Sequence, residues 1–199
     1  GKTSLARRLA ASFGSDLVLE QGEDNPFLER FYRNPRAAAF QTQPYFLFQR
    51  ARQMQELRQH DLFQRVRVAD YLLEKDRLFG RLTLDDEEFA LYEQVYSRLA
   101  IDAPVPDLVV YLQAPVDTLL ERIARRGIHY EQQIERRYLE RLTEAYARFF
   151  LEFEASPVLI VNAAEIDPVG SETDYASLLA EIVRSRKGRH YFNPMKSLL

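Results

Sequence analysis

Gly1-Lys-Thr-Ser4 opens the chain and matches the second half of a phosphate-binding loop. The full pattern is glycine, four residues, glycine, lysine and then serine or threonine. In such a loop, backbone N–H groups and a helix N-terminus surround the phosphates of a nucleotide, the lysine neutralises their charge and the hydroxyl holds Mg²⁺. We therefore expect Gly1, Lys2, Thr3 and Ser4 to bind a nucleotide, and Thr3 to contact the metal ion as well.

The residues that follow have the spacing of the helix that this motif requires. Leu5, Leu9 and Phe13 recur at helical intervals, and Gly14 is a natural C-cap. The strand and the first glycine of the pattern are not part of the sequence, so we expect the chain to start inside the loop. The alternative is an ordinary helix start in which Thr3 or Ser4 lies near the cap.

The composition is that of one globular domain spanning residues 1–199. Of the 199 residues, 46% are hydrophobic and 29% are charged, and no apolar run reaches the roughly 18 residues needed to cross a bilayer. The absence of cysteine excludes disulfides and thiolate metal sites. The formal net charge of −3 gives no reason to expect binding to nucleic acid or to a membrane. We expect a cytoplasmic protein.

Short apolar runs alternate with amphipathic stretches, which predicts parallel strands covered by helices on both faces. Together with a strand expected before Gly1, they indicate an α/β fold of the P-loop NTPase type with a five-stranded parallel sheet. The strands are expected over 16–19, 66–69, 107–112 and 157–161. Helices are expected up to residues 13 and 32, over about 35–59, 71–80, 138–153 and 174–184, and from near 85 and 115, with an irregular tail over 186–199.

Two carboxylates and an arginine cluster indicate phosphoryl transfer. Glu20 and Asp70 each follow a predicted strand, and ligands of open α/β sheets bind beyond the carboxyl ends of strands. There they are placed to activate an acceptor hydroxyl and to orient Mg²⁺. Arg122, Arg125 and Arg126 would close over the transferred group, the alternative being a solvated helix face. The order of elements fits a small kinase better than a GTPase, because no guanine-selecting Asn-Lys-x-Asp is present.

Four stretches carry a more specific likeness. They are Leu19-Glu-Gln-Gly-Glu-Asp-Asn-Pro-Phe-Leu28, Phe40-Gln-Thr-Gln43, Asp107-Leu-Val-Val-Tyr-Leu-Gln-Ala-Pro115 and Arg122-Ile-Ala-Arg-Arg-Gly127. Together they resemble the deoxynucleoside kinase family, above all its bacterial deoxyadenosine and deoxyguanosine kinases. The resemblance implies a nucleoside-kinase-like three-layer fold with an arginine-rich lid over about 122–136. It also implies ATP as phosphate donor, Mg²⁺, and a homodimer formed by pairing two helices.

The resemblance assigns chemical roles to matching positions. Lys2 and Thr3 would serve the donor phosphates and Mg²⁺. Glu20 resembles the general base that takes the proton from the nucleoside 5′-hydroxyl. Arg122 and Arg126 match the lid arginines that neutralise charge on the moving phosphoryl group.

Five further positions match the residues that bind the nucleoside. Tyr32 and Glu131 resemble the pair that holds the sugar 3′-hydroxyl. Gln43, Arg50 and Asp76 match the residues that hydrogen-bond the edge of the base. A glutamine amide both donates and accepts hydrogen bonds, so it suits a purine without selecting adenine over guanine.

The sequence departs from the family at two positions. Many relatives have Glu-Arg-Ser or Asp-Arg-Ser after the second strand, where this chain has Asp70-Tyr-Leu. Asp70 still matches the carboxylate that lies beside the metal ion in the family. Tyr71, however, stands where the resemblance implies an arginine that would orient Glu20. The lid also loses one possible phosphate contact, because Ile128 follows Gly127 where relatives often have arginine.

The sequence therefore predicts a deoxynucleoside kinase that transfers the γ-phosphate of ATP to the 5′-hydroxyl of a purine deoxynucleoside. One alternative is a thymidylate-kinase-like enzyme acting on a monophosphate, although residues 23–24 are acidic where such an enzyme needs a basic site. The other is a non-catalytic kinase-like subunit that kept the fold for assembly. The presence of Lys2, Glu20 and Asp70 argues against this second alternative.

Overall fold

A computed structural model describes residues 1–59, 66–99 and 104–194, over which helices alternate with short strands. The helices are α1 (Lys2–Phe13), α2 (Leu28–Arg33), α3 (Pro35–Gln59), α4 (Lys75–Thr83), α5 (Asp86–Leu99), α6 (Val116–Arg126), α7 (Arg136–Glu152) and α8 (Glu172–Arg184). The strands are β1 (Asp16–Val18), β2 (Arg67–Ala69), β3 (Val109–Gln113), β4 (Val158–Asn162) and β5 (Arg189–Phe192). Short 3₁₀ helices lie at Gly22–Asp24 and His129–Gln133.

The strands form two parallel sheets. β1 pairs with β2, while β4 lies between β3 and β5. The predicted single sheet of five strands is not confirmed, because no strand of the described residues joins β2 to β3. The first strand of that prediction would precede Gly1, and it stays a prediction.

Helices cover both faces of the three-stranded sheet, since successive strand side chains point to opposite faces. On one face, Leu159 and Val161 of β4 pack in a cluster with α1 and with Leu178 of α8. On the other face, Val158 packs with Phe150 of α7. The predicted three-layer α/β arrangement is therefore confirmed.

The two sheets share this core. Val68 of β2 and Val110 of β3 both pack against the cluster formed by α1, β4 and α8. Leu159 and Leu178, at its centre, have no exposed surface. One hydrophobic core thus holds β1 and β2 in place beside the larger sheet.

The irregular tail predicted over 186–199 is wrong at Arg189–Phe192, which forms β5. This strand pairs in parallel with Val158–Val161 of β4. Its sequence, Arg-His-Tyr-Phe, has neither the apolar run nor the alternation from which strands are predicted. The main-chain hydrogen bonds that β4 offers therefore decide the structure of this segment.

The helix predicted from Tyr71 begins four residues later, at Lys75. The intervening side chains pack inward, since Leu73 is buried and the Tyr71 ring lies beside the guanidinium of Arg50. The chain makes a turn there before α4 starts. This turn brings Lys75 and Asp76, in the first turn of α4, into the interior.

The longest described helix, α3, has 25 residues and carries several polar side chains that are buried. They include Thr42, Gln43, Gln49 and Arg50. Buried polar groups need hydrogen-bonding partners, so this helix face marks a polar interior rather than a purely apolar contact. Within the described ranges, none of the helices is both long enough and apolar enough to span a bilayer.

Leu178→Ala should destabilise the protein by about 2–5 kcal/mol, because it removes a fully buried side chain and leaves a cavity. Val183→Ala on the same helix is the control. Val183 is 48% exposed, and its loss should change the free energy of unfolding by no more than about 0.5 kcal/mol. Urea unfolding followed by circular dichroism measures both. Equal losses would contradict the placement of Leu178 in the shared core.

Candidate active site

A cleft of ≈ 1190 Å³ opens where α1 begins and where β1 and β2 end. One wall is lined by residues of α3 and the first turns of α4, and the other by residues of α2 and of the segment around the 3₁₀ helix His129–Gln133. Most of the site residues predicted from the sequence line this one cleft. They are Gly1, Lys2, Thr3, Glu20, Tyr32, Gln43, Arg50, Asp70, Asp76, Arg126 and Glu131.

Asp70 connects the elements that meet at the bottom of the cleft. Because Val18 and Ala69 are partners in the parallel ladder of β1 and β2, the residues after the two strands lie side by side. One carboxylate oxygen of Asp70 accepts a hydrogen bond from the Glu20 backbone N–H at 2.8 Å. The other accepts one from the Thr3 hydroxyl at 2.6 Å. Asp70 thus joins α1, β1 and β2 at one point.

The start of α1 is suited to an anion. The first intrahelical hydrogen bond runs from the Leu5 N–H to the Gly1 carbonyl at 2.9 Å, so the preceding N–H groups have no helix carbonyl to bond. Free N–H groups and the positive end of the helix dipole attract negatively charged ligands. Lys2, in the same turn, adds a full positive charge at the cleft.

The Thr3 hydroxyl and the Asp70 carboxylate are the residues that could hold a divalent cation. Both offer oxygen, the ligand atom that Mg²⁺ prefers, and they lie within hydrogen-bond distance of each other. Mg²⁺ usually takes one or two protein carboxylates and completes its shell with water and substrate phosphates. In the part of the chain that the structure describes, no three His, Cys, Asp or Glu side chains form a metal-binding group.

Three cations surround the Glu20 carboxylate, whose side chain is 22% exposed. The Lys75 ammonium donates to its two oxygens at 3.1 and 3.4 Å, and Arg50 forms an ion pair with it. The Lys2 ammonium lies 3.6 Å away. Sequence reasoning did not identify Lys75, although a lysine five residues after Asp70, downstream of a strand end that lacks the expected arginine, was an available signal.

A buried ion pair lies deeper in the cleft, between Arg50 and Asp76. Arg50 is 4% and Asp76 1% exposed, and one guanidinium N–H donates to the Asp76 carboxylate. Burial raises the pKa of Asp76 to about 6, while the nearby charges of Arg50 and Lys75 act in the opposite direction. The second oxygen of Asp76 has no hydrogen-bond partner among the described residues. This part of the cleft therefore keeps an acceptor for a ligand.

Gln43 lies on the same wall, about two turns before Arg50 on α3. Its side chain is buried, and its amide N–H donates to the Thr83 hydroxyl at 3.3 Å. An amide held in this way keeps its carbonyl oxygen and one further N–H for a ligand. The arrangement suits a flat, polar ring with both donors and acceptors along its edge.

The opposite wall combines aromatic rings with a carboxylate. The rings of Tyr32 and Tyr130 are stacked, with their centres 5.8 Å apart. Glu131 is buried beside them and pairs with Arg126 at 2.9 Å. Burial raises the pKa of Glu131, and Arg126 opposes this effect. Two polar groups for a hydroxyl-bearing ligand, Tyr32 and Glu131, therefore lie on one side of the cleft.

Three residues predicted for the site, Ser4, Arg122 and Arg125, do not line the cleft. Ser4 is exposed on α1. Arg122 donates to the Ala163 carbonyl at 2.5 Å and so connects α6 to the segment after β4. Of the predicted arginines of α6, Arg126 is the one that the structure brings to the cleft.

Comparison with known proteins gives a family model and several relatives. Residues 1–185 match the family model described as deoxynucleoside kinase. A deoxyguanosine kinase of Bacillus subtilis is 35% identical over 187 residues, which cover 92% of this chain and 90% of the relative. A deoxyadenosine kinase of Lactobacillus acidophilus is 28% identical over 196 residues, which cover 92% of this chain and 89% of the relative.

Solved structures of a deoxyadenosine kinase from M. mycoides have the same fold. The structure with bound dATP matches this chain with a TM-score of 0.78 at 23% identity, covering 92% of this chain and 94% of that one. The structure with bound dCTP matches with a TM-score of 0.75. The strand and helix arrangement described above is therefore that of a known fold.

Asp76→Asn should remove a pH-dependent contribution to stability. A carboxyl whose pKa is raised on folding, here from 3.8 to about 6, contributes stability that is complete below the lower value and is lost as the pH rises through the higher one. Relative to Asp76→Asn, the natural protein should thus gain on the order of 1 kcal/mol of stability between about pH 7.5 and 5. Urea unfolding at several pH values measures this difference.

Asp107→Asn, at an exposed position, is the control for this experiment. Its stability should follow that of the natural protein over the same pH range. A pH dependence of Asp76→Asn that matches the natural protein would contradict the burial of an ionisable Asp76.

Proposed function

The chain belongs to the deoxynucleoside kinase family, and on that premise we propose that it transfers the γ-phosphate of ATP to the 5′-hydroxyl of a purine deoxynucleoside. The family interpretation of the sequence motifs is confirmed, so the protein is a phosphotransferase with an alcohol acceptor. The meeting of Lys2, Thr3, Glu20 and Asp70 in one cleft carries the proposal for the chemistry. The names of the relatives, deoxyguanosine and deoxyadenosine kinase, support a purine as the base.

The donor triphosphate binds at the start of α1. The free N–H groups of its first turn and the Lys2 ammonium contact phosphate oxygens. Thr3 and Asp70 would hold Mg²⁺, which would neutralise charge on the phosphates. Gly1 and Ser4 belong to the same loop, Gly1 by lining the cleft and Ser4 through its backbone.

The acceptor hydroxyl is activated by Glu20. Its carboxylate is held by cations beyond the carboxyl end of β1, and its backbone N–H donates to Asp70, whose other oxygen accepts from Thr3. In the reaction, Glu20 accepts the proton of the 5′-hydroxyl while the hydroxyl oxygen forms its bond to the γ-phosphorus and the bond to the leaving ADP oxygen breaks. The proton ends on Glu20, and the products are ADP and the deoxynucleoside monophosphate.

The two walls of the cleft hold the nucleoside. Tyr32 and Glu131 hydrogen-bond the sugar 3′-hydroxyl, while Gln43, Arg50 and Asp76 read the edge of the base. The free Asp76 oxygen and the free groups of the Gln43 amide support this assignment, because a purine edge has both donors and acceptors. Recognition of adenine, guanine or both is compatible with such a set.

Arg126 stabilises the charge that develops on the transferred phosphoryl group. Arg126 forms an ion pair with Glu131, one of the two residues proposed to bind the sugar. It lines the same cleft as Lys2 and Thr3, which are proposed to serve the phosphates. Arg122 serves the same lid, over about 122–136, from the side of the segment after β4. The lid, the homodimer and the cytoplasmic location stay predictions.

A transfer assay tests the proposal. The protein is incubated with γ-labelled ATP and Mg²⁺ and with each deoxynucleoside or its 5′-monophosphate. We expect label on deoxyadenosine, deoxyguanosine or both, and its loss when EDTA removes the metal ion. Label on monophosphates but not on nucleosides would indicate the thymidylate-kinase-like alternative, which the acidic Glu23 and Asp24 at the cleft disfavour. No transfer to any acceptor would indicate a non-catalytic subunit.

Glu20→Gln should lower kcat by about 10²–10⁴-fold, the contribution typical of a positioned general base. The amide keeps the shape of the side chain but cannot accept the proton. Steady-state kinetics with a purine deoxynucleoside measure the effect, and circular dichroism checks that the variant is folded. Glu154→Gln, at an exposed position, should leave kcat unchanged. An unaltered rate in Glu20→Gln would remove Glu20 from the mechanism.

A further inference from the structure

The resemblance implies a residue that orients the Glu20 carboxylate, and this chain lacks that residue at the matching position. The implied residue is an arginine directly after the strand carboxylate, and this chain has Tyr71 there. The Tyr71 hydroxyl is buried and has no hydrogen-bond partner among the described residues. Its ring lies beside Arg50, with 5.4 Å between the guanidinium carbon and the ring centre. Tyr71 therefore supplies no charge to the Glu20 carboxylate.

Lys75 reaches that carboxylate from a different backbone position. It is the first residue of α4, and its ammonium donates to Glu20 Oε1 at 3.1 Å and to Oε2 at 3.4 Å. A contact with both oxygens fixes the orientation of the carboxylate plane as well as its position. Lys75 is 8% exposed, and a buried ammonium is costly unless a carboxylate compensates it. The buried Lys75 ammonium is thus compensated by the Glu20 carboxylate.

The other two cations near Glu20 differ from Lys75, because Arg50 has a second partner and the Lys2 side chain is half exposed. Arg50 bonds Asp76 as well as Glu20, so its guanidinium is shared with the base-binding wall. Lys2 lies 3.6 Å from Glu20, its side chain is 52% exposed, and it belongs to the phosphate loop. When a nucleoside and a triphosphate bind, Arg50 and Lys2 contact them. The hydrogen bonds described for the Lys75 ammonium go to Glu20 alone.

We propose that Lys75 is a positioning residue that orients the Glu20 carboxylate toward the acceptor hydroxyl, the role that Tyr71 does not fill. The assignment rests on the proposed function, since it needs Glu20 to be the base. A positioning role and a purely structural role of Lys75 predict different effects on the reaction rate. Loss of orientation lowers the rate of the chemical step, whereas loss of a structural ion pair lowers stability and leaves the rate of the folded enzyme unchanged.

The test compares Lys75→Met, Lys75→Arg and Lys187→Met. Methionine keeps much of the length and apolar volume but removes the charge, arginine keeps the charge, and Lys187 is an exposed lysine outside the cleft. Lys75→Met should lower kcat by about 10–100-fold, because a displacement of about 1 Å has such an effect. The KM values for nucleoside and ATP should stay within about threefold.

The conservative variant gives the second readout. Lys75→Arg should recover at least about tenfold of the lost kcat, and Lys187→Met should match the natural protein. The thermal midpoint of each variant is measured alongside. If Lys75→Met does not fold, Lys75→Gln replaces it, since glutamine retains a polar end without the charge, and the same loss of kcat is expected.

Three results would overturn the assignment. An unchanged kcat in a folded Lys75→Met or Lys75→Gln variant would leave Lys75 with a structural role only. A change confined to the KM for ATP would place it among the phosphate-binding residues instead. The unchanged kcat and the change confined to KM can each be observed only if the natural protein is active, so these two results leave the proposed function standing. A natural protein that transfers no phosphoryl group would overturn the proposed function and this assignment together.

Discussion

The parallel pairing of β1 with β2 is the constraint on which the site depends. Neither strand is long, with three residues each, yet their common register sets Glu20 and Asp70 side by side. Asp70 then uses both oxygens, one for the Glu20 backbone and one for the Thr3 hydroxyl. Because the two bonds lead to different elements, the start of α1, proposed to bind phosphate, and the backbone of the proposed base are both held by one buried carboxylate.

Charge balance in the interior follows from this arrangement. A buried carboxylate or ammonium is unfavourable without a partner of opposite sign, and the cleft satisfies this condition as a group rather than pair by pair. Arg50 bonds two carboxylates, and Glu20 contacts three cations. The loss of one of these three cations therefore leaves Glu20 with two others. The members of the group are the cations Lys2, Arg50 and Lys75 and the carboxylates Glu20, Asp70 and Asp76.

The fold was predictable wherever local pattern and tertiary contact favour the same state. Four strands and most helices carry apolar periodicity, and the structure places them within a few residues of expectation. β5 was not predictable, because Arg-His-Tyr-Phe becomes a strand through its pairing with β4, a contact between distant parts of the chain. The start of α4 shifted for a related reason, since inward packing of Leu73 and Tyr71 replaces helical hydrogen bonds at those residues.

The site was predictable as a set of positions but not as a set of contacts. Motif spacing identifies strand ends, and these bring Glu20 and Asp70 together as expected. The partner of Glu20 could not be identified in this way, because the requirement at that point is a positive charge near two oxygens, not a particular backbone position. Lysine has a long flexible stem, so the Lys75 ammonium reaches both oxygens of Glu20 from the first turn of α4, while Tyr71 occupies the position where the resemblance implies an arginine. A contact of this kind depends on the reach of the side chain and on the fold, and motif spacing describes neither.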